Sequence, residues 1–207
     1  PVFDSALAAG AMERDGIKTF HGSDEMLFRI VETGHDLSPL GPVGYARFNN
    51  ALEGVATAAA EAGVDAVGLY GMSEVHAVFA HRVAEPRERS DVPGGQLISS
   101  GARARVVDAE TGKELAGGEE GELQLQGPSM FAGYLASGGE EIDQELTDKH
   151  FVDGWFRTGD LARMEDLRTF EYLARLGDVL RLGGFLVNPA EIEDCFLQDP
   201  TIEAVQV

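Results

Sequence analysis

A hydroxyl and a carboxylate stand side by side in the stretch VGLYGMSEVH, at Ser73 and Glu74. They follow an apolar run that resembles a strand, and polar groups on the loop leaving such a strand can face a ligand in an open α/β sheet. A hydroxyl can donate to a phosphate oxygen, and a carboxylate can bind a hard cation such as Mg²⁺ beside substrate phosphates. On these two residues alone, a strand end followed by a solvated turn is the favoured interpretation, so the chemistry depends on what else the chain supplies.

Two further polar residues could bind a nucleoside. Asp160 follows a glycine in DGWFRTGDLARM, where a carboxylate can accept hydrogen bonds from both hydroxyls of a ribose. Arg175 is the obvious polar ligand group of YLARLGDVLRLGGFLVNPAEIE, in which Gly183 and Gly184 permit close approach of the backbone. The simpler alternatives, a turn aspartate and a glycine hairpin, stay open at this level.

The elements that position Ser73 and Glu74 are predicted to form a parallel α/β layer. Helical spacing of apolar residues predicts helices within residues 22–35 and within the alanine-rich residues 51–62, and the apolar segment AVGLYG predicts a strand. Helices that alternate with short apolar strands are typical of such a layer. We therefore expect residues 1–84 to be the end of a larger α/β layer.

Antiparallel β structure is predicted for residues 85–174, the segment that carries Asp160. Val107 ends an apolar pair ahead of a turn at Gly112, and Leu123 and Leu125 then alternate with polar residues. Many glycines punctuate this segment. We expect a small subdomain that is barrel-like or a sandwich.

A hinge and the start of an α+β lid domain are predicted for residues 175–207. The segment DVLRLGGFLV favours a hairpin, and NPAEIEDCFL favours a helix that Asn188 can cap and Pro189 can begin. The only cysteine, Cys195, lies on the same predicted helical face as Ile192 and Phe196, which favours a buried structural thiol over a nucleophile.

The composition limits the classes of partner. Acidic residues outnumber basic ones by 36 to 16, and the net charge of −20 disfavours nonspecific attraction to nucleic acid or to anionic membranes. A hydrophobic content of 43% with eleven phenylalanines favours a folded globular protein. We find no apolar run that is long enough for a membrane span and no signal-peptide layout, and a single cysteine fits a cytoplasmic location. Homo-oligomerisation stays open.

The motifs, weak singly, resemble in combination the adenylate-forming superfamily, which includes acyl-CoA synthetases and peptide-synthetase adenylation domains. YGMSE looks like the family's Tyr-Gly-x-Thr-Glu element, and WFRTGDLA matches its ribose-binding segment. RLGDVLRLGGFLVNPAEIE resembles the segment that joins the large domain to the mobile lid, and GGQLISSGARARVVD is similar to the first strands of the β subdomain. The resemblance covers roughly residues 20–207.

The resemblance implies a role for each matching residue. Ser73 would contact the α-phosphate, Glu74 would bind Mg²⁺, and Asp160 and Arg175 would bind ribose hydroxyls. Residues that would lie along the nucleotide and acyl pocket are Tyr70, Gly71 and Met72. Residues that would form the loop packed on adenine, in a segment that departs from the usual pattern, are Gly44, Tyr45 and Ala46.

Three positions depart from the family's pattern. Ser73 stands where threonine is usual and keeps the hydroxyl. Gly177 stands at the hinge position, where aspartate or lysine is common. Arg181 stands where lysine is common and keeps the charge but not the geometry. His76 could approach the acyl group, although we expect it to be packed or solvated.

Two elements of the family are expected outside this sequence: the phosphate loop before residue 1 and the lid lysine after residue 207. The resemblance therefore implies a fragment of an enzyme that is inactive alone. With ATP, Mg²⁺ and coenzyme A, the parent enzyme would convert a carboxylic acid, expected to be fatty, first to an acyl-adenylate and then to a thioester. A carrier-protein thiol is the alternative acceptor, and a non-catalytic nucleotide-binding or interaction module is the alternative class.

Overall fold

The computed structural model describes most of the chain. The described residues are 2–47, 52, 54–82, 89, 90, 92–178, 180–182, 185–187, 189–197, 202 and 205. These residues fall into two compact units, one made of residues 1–71 and 80–96 and the other of residues 72–79 and 97–207. The domain boundaries expected from the sequence, after residues 84 and 174, stay predictions.

The first unit alternates helices with short strands. Its elements are α1 (Ser5–Asp15), β1 (His21–Ser23), α2 (Asp24–Val31), β2 (Val43–Ala46), α3 (Val55–Glu61), β3 (Ala66–Tyr70), β4 (Ala80–His81) and β5 (Gly94–Leu97), of which the last residue belongs to the second unit. The two helices predicted within residues 22–35 and 51–62 are therefore confirmed, as α2 and α3. Ser23 caps α2 by accepting a hydrogen bond from the backbone N–H of Met26.

Strand pairing in the first unit confirms the parallel layer. β1 pairs in parallel with β2, and β2 pairs in parallel with β3, so that Ala46 stands opposite Leu69. One hydrophobic core joins this layer to the helices, and its fully buried members include Leu27, Ile30 and Val43. Such parallel strands place their carboxyl ends, where β2 and β3 finish, on the edge of the sheet that ligands commonly use.

The second unit is mainly antiparallel β structure. Its elements are a 3₁₀ turn (Ser73–Val75), β6 (Arg103–Val107), β7 (Glu120–Gln126), α4 (Gln144–Lys149), β8 (Phe151–Val152), β9 (Trp155–Met164), β10 (Thr169–Arg175), a second 3₁₀ turn (Leu176–Asp178), β11 (Leu180–Leu182), β12 (Phe185–Val187) and α5 (Pro189–Leu197). The strands run in the order β10-β9-β7-β6, with β8 paired to β9. The described strand pairs do not join β6 back to β10, so the sheet that they form is not closed into a barrel.

Local chemistry explains the main features of this unit. On β7 the apolar Leu123 and Leu125 are fully buried, and the polar residues that alternate with them, Glu122 and Gln124, are buried as well. Gly112 ends the turn that follows β6 with a φ of 70°, which glycine adopts without steric cost. β11 and β12 form the predicted antiparallel hairpin, whereas its glycines, Gly183 and Gly184, lie outside the described residues.

α5 begins at Pro189 as predicted, and the predicted cap Asn188 lies outside the described residues. The prediction of a buried thiol is wrong, because Cys195 is exposed and Phe196 beside it is 51% exposed. Helical periodicity identifies residues that share a face, but it does not show whether another element covers that face.

No helix of the described residues is long and apolar enough to cross a membrane.

Candidate active site

The turn after β3 presents Ser73 and Glu74 as the sequence suggested. Val75, at the end of the 3₁₀ turn, is fully buried. Ser73 is exposed, and its hydroxyl has no hydrogen-bond partner among the described residues. Glu74 is half-buried. The turn therefore leaves a hydroxyl free to bind a ligand next to a carboxylate that is held against the protein.

The backbone immediately after this turn is strained. His76 and Ala77 have φ values of 57° and 81°, in the left-handed region that L residues other than glycine rarely adopt. The imidazole Nδ1 of His76 lies 2.7 Å from the carbonyl oxygen of Ser129. Strain of this kind persists only where surrounding contacts impose it, and it is concentrated at functional sites.

The Glu74 carboxylate is oriented by a residue that sequence reasoning missed. Tyr134 donates its phenolic hydroxyl to Oε1 of Glu74 at 3.0 Å. The backbone carbonyl of Glu74 accepts a hydrogen bond from the N–H of Phe131 at 2.8 Å. Tyr134 lies in the glycine-punctuated loop GPSMFAGYLASG, whose composition signals a loop but not the turn on which it packs.

Asp160 and Arg175 are brought together as an ion pair. They are direct register partners on the antiparallel strands β9 and β10, and Nη1 of Arg175 donates to Oδ1 of Asp160 at 2.7 Å. The Asp160 side chain is 5% exposed and that of Arg175 is 51% exposed. The backbone N–H of Asp160 also donates to the hydroxyl of Thr158 at 3.0 Å.

The pKa of Tyr134 is affected by the charges of both Glu74 and Arg175. Burial is the main cause that raises the pKa of Tyr134 to about 12. The hydrogen bond to Glu74 and its negative charge add to the rise, and the positive charge of Arg175 opposes it. The phenol is therefore a neutral donor at physiological pH, and Glu74 and Arg175 both act on it.

The residues expected around adenine are placed differently from the prediction. Gly44, Tyr45 and Ala46 form part of strand β2 instead of a loop, because this short apolar segment pairs with strands on both sides. Tyr45 is 1% exposed. A Cβ at Gly44 would lie 2.5 Å from side-chain atoms of His21 and Leu69, so a larger residue there would require these side chains to shift. Contact of these residues with adenine stays a prediction.

The other residues predicted along the nucleotide and acyl pocket lie at the end of β3 and in the segment after it. Tyr70 is the buried last residue of β3, and Gly71 and Met72 are half-buried and lead into the turn. At the carboxyl end of β2, Arg47 has a buried Nε without a hydrogen-bond partner in the part of the chain that the structure describes, a feature that the sequence did not reveal. Gly177 lies exposed in the second 3₁₀ turn, and no atom of the residues that the structure describes lies within 4 Å of an added Cβ.

Comparison with known proteins identifies the same protein family as the sequence motifs do. Residues 1–135 match the sequence profile of the family described as AMP-binding enzyme. The chain is 34% identical over 140 residues to 4-coumarate–CoA ligase 1 from Glycine max, which covers 67% of this chain and 46% of that protein. It is 37% identical over 117 residues to luciferin 4-monooxygenase from Photinus pyralis, covering 56% of this chain and 20% of that protein.

Solved structures agree at the level of the fold. The amide bond synthetase McbA from Marinactinospora thermotolerans superposes with a TM-score of 0.77 at 24% identity, over 98% of this chain and 41% of that one. ATP-bound MatB from Rhodopseudomonas palustris superposes with a TM-score of 0.73 at 28% identity, over 93% of this chain and 37% of that one. The chain thus spans less than half the length of each of these relatives. It belongs to the AMP-binding enzyme family, and the resemblance to the adenylate-forming superfamily is confirmed.

Proposed function

We propose that this chain supplies part of the nucleotide site of an AMP-forming acid–thiol ligase. In the first half-reaction a carboxylate oxygen of the acid bonds to the α-phosphorus of ATP, the bond to the bridging oxygen breaks, and pyrophosphate leaves. In the second half-reaction the sulfur of a thiol bonds to the acyl carbon, the bond to the AMP oxygen breaks, and the thiol proton passes to solvent. The protein's contribution is to position the groups and to neutralise charge.

The observation that carries this proposal is the pairing of a free hydroxyl with an oriented carboxylate on one turn. The hydroxyl of Ser73, an exposed residue, has no hydrogen-bond partner among the described residues and would donate to an α-phosphate oxygen. Glu74 uses one carboxylate oxygen to accept from Tyr134, and its other oxygen has no partner among the described residues.

The donor set fits Mg²⁺. Magnesium prefers oxygen ligands and is commonly bound by one or two carboxylates together with substrate phosphates and water. The free oxygen of Glu74 is such a ligand, and it lies next to the residue proposed to contact phosphate. When bound, the cation would neutralise phosphate charge as the reaction proceeds.

Asp160 and Arg175 would bind the ribose in this proposal. The buried carboxylate of Asp160 is fixed by the guanidinium of Arg175, so it need not reorganise to accept hydrogen bonds from sugar hydroxyls. Arg175 is half-exposed, and its planar guanidinium presents N–H donors in a geometry suited to oxygen acceptors such as those of a ribose. The pair would act as one preorganised unit.

The acid and the acceptor thiol belong to the proposal as well. We expect a fatty acid and coenzyme A, with a carrier-protein thiol as the alternative acceptor. One relative is named a 4-coumarate–CoA ligase, which supports coenzyme A and adds aromatic acids to those worth testing. A cytoplasmic location and the absence of nucleic-acid partners are expected on the charge and cysteine content alone.

Exchange of radiolabelled pyrophosphate into ATP by the full-length protein tests the first half-reaction. We expect exchange that depends on an added acid, surveyed over fatty acids and aromatic acids such as 4-coumarate. Glu74→Gln should abolish most of it, whereas the matched change Glu171→Gln, which disrupts the ion pair between Glu171 and Arg163, should leave it near wild type. A non-catalytic module would bind nucleotide without acid-dependent exchange, and that result would overturn the proposal.

A further inference from the structure

We propose that Tyr134 is a positioning residue that fixes the Glu74 carboxylate in the orientation required to bind a divalent cation. The inference rests on the proposed function, because it assigns a purpose to the carboxylate of the same site. Its direct basis is the hydrogen bond of 3.0 Å from the Tyr134 hydroxyl to Oε1 of Glu74. This bond occupies one carboxylate oxygen and leaves the other for a cation.

The backbone of Tyr134 is itself held by the first turn of α4. Its N–H donates to the hydroxyl of Thr147 at 3.0 Å, and its carbonyl accepts from the N–H of Asp143 at 2.8 Å. Thr147 is 5% exposed, and its hydroxyl donates in turn to the carbonyl of Asp143. The start of α4 therefore determines where the phenol projects.

Aromatic packing restricts the ring of Tyr134. Phe131 lies edge-on to it with ring centroids 4.8 Å apart, and His150 lies against it at 4.9 Å. Phe131 and His150 also contact Phe156 from β9, at 5.6 Å and 6.3 Å. Because the ring is enclosed on these sides, its hydroxyl is fixed on Glu74 instead of sampling many positions.

The same loop also holds the strained turn. The backbone N–H of Phe131 donates to the backbone carbonyl of Glu74, and the imidazole Nδ1 of His76 contacts the backbone carbonyl of Ser129. These contacts flank the hydrogen bond from Tyr134, so residues 129–134 fix both the backbone and the side chain of Glu74.

The test compares Tyr134→Phe with wild type in the full-length protein. We expect the Mg²⁺ concentration for half-maximal pyrophosphate exchange to rise about tenfold, as for the loss of one hydrogen bond to a charged group. The KM for ATP at saturating Mg²⁺ should change by less than about twofold, because the phenol does not touch the nucleotide in this proposal. Binding of Mn²⁺ in the presence of a non-hydrolysable ATP analogue, followed by electron paramagnetic resonance, should weaken by the same factor.

Two further variants separate positioning from folding. Phe151→Leu removes a ring that packs on Phe131 and Phe156 but makes no hydrogen bond to Glu74. It should lower the melting temperature and leave the Mg²⁺ dependence unchanged. Thr147→Val removes the hydroxyl that accepts from the Tyr134 N–H, so it should shift the Mg²⁺ dependence in the same direction as Tyr134→Phe. Thr147→Ser keeps the hydroxyl and should show the Mg²⁺ dependence of wild type.

Wild-type Mg²⁺ and Mn²⁺ dependence in Tyr134→Phe would overturn the inference. So would an equal shift in Phe151→Leu, since it would show that loss of packing alone produces the effect. Glu74→Gln distinguishes this failure from that of the proposed function. If Glu74→Gln alters the cation dependence and Tyr134→Phe does not, only the positioning role is lost; if neither alters it, the proposed cation site is wrong.

Discussion

Arg175 pairs with Asp160 across two neighbouring strands, and the two partners differ sharply in exposure. The guanidinium donates to the carboxylate at 2.7 Å, with 51% of the arginine side chain exposed and 5% of the aspartate side chain exposed. Removal of the arginine takes one ion-pair contact away from a buried carboxylate, whereas removal of the aspartate charge leaves a cation that water can solvate. The two changes should therefore have unequal effects on the fold.

We predict that Asp160→Asn weakens ATP binding more than it weakens the fold. Loss of hydrogen bonds from ribose to a charged group should cost about 1.5 to 3 kcal/mol of binding free energy. Arg175→Gln should lower the free energy of unfolding by about 1 kcal/mol more than Asp160→Asn does, since exposure limits the strength of the pair. ATP titration and urea denaturation of the two full-length variants measure these effects.

Arg163→Gln is the matched control for this pair. Arg163 bridges to Glu171 on the same two strands, at 2.8 Å, and has no place in the proposed site. Arg163→Gln should lower the free energy of unfolding and leave the affinity for ATP unchanged. Unaltered ATP affinity in Asp160→Asn would remove Asp160 from the nucleotide site.

The strained turn supplies a second prediction. Ala77 has a φ of 81°, which disfavours any side chain with a Cβ, so Ala77→Gly should relieve strain of about 1 kcal/mol in the folded state. Greater chain entropy in the unfolded state offsets part of this gain. We expect the free energy of unfolding to rise slightly or to stay level, as measured by urea denaturation.

Ala132→Gly provides the comparison. Ala132 is exposed and has no positive φ, so glycine there should only add unfolded-state entropy and lower stability by about 0.5 kcal/mol. If Ala77→Gly destabilised the protein as much as Ala132→Gly, the left-handed conformation at Ala77 would carry no strain worth relieving.

The parts of this molecule that the sequence predicted are those that depend on local periodicity. Apolar spacing identified α2, β3 and the antiparallel strands, because each pattern is complete within a few residues. The segment VGYA was mistaken for a loop. It is a strand because β1 and β3 pair with its two sides, and a short pattern that contains a glycine does not show such neighbours.

The contacts between the residues of the site could not be predicted from the sequence, because they depend on tertiary structure. Asp160 and Arg175 were each predicted as ligand groups, but their mutual ion pair follows from the register of β9 and β10. Tyr134 and Glu74 are 60 residues apart in the chain, and no periodicity relates them. Exposure of Cys195 could not be predicted either, since the covering of a helix face depends on the packing of other elements.

Tyr134 predicts a pH dependence on the alkaline side. Its pKa is raised from 10.0 to about 12 in the folded state, mainly by burial and then by Glu74, with Arg175 opposing. The folded state therefore favours the protonated phenol. The resulting stability is fully present below pH 10 and is lost as the pH rises from 10 toward 12.

We expect the melting temperature of wild type to fall more steeply than that of Tyr134→Phe above about pH 10, where the unfolded phenol begins to ionise. Melting curves recorded for both proteins between about pH 8 and pH 11.5 measure this difference. The difference in ultraviolet absorbance between the two proteins should also show a tyrosine that ionises later than a free one. A constant gap in melting temperature across this range would contradict the raised pKa.

Gly177 supplies the last prediction, at the position where the family's lid is expected to swing. In this structure Gly177 lies in a 3₁₀ turn without a positive φ, and an added Cβ would meet no atom of the described residues within 4 Å. Neither space nor conformation requires glycine in this pose. Any requirement for it must therefore come from a second backbone conformation, such as one that a hinge visits.

Gly177→Ala and Gly177→Pro in the full-length protein test this directly. Both should leave the melting temperature within a few degrees of wild type, because a 3₁₀ turn accepts the φ near −65° that proline imposes. We expect pyrophosphate exchange to persist in Gly177→Pro while transfer from preformed acyl-adenylate to coenzyme A falls severalfold or more, with Gly177→Ala intermediate, because proline restricts the hinge most. If Gly177 only serves the turn, proline should impair the two half-reactions alike or impair neither, and the hinge assignment would then be abandoned.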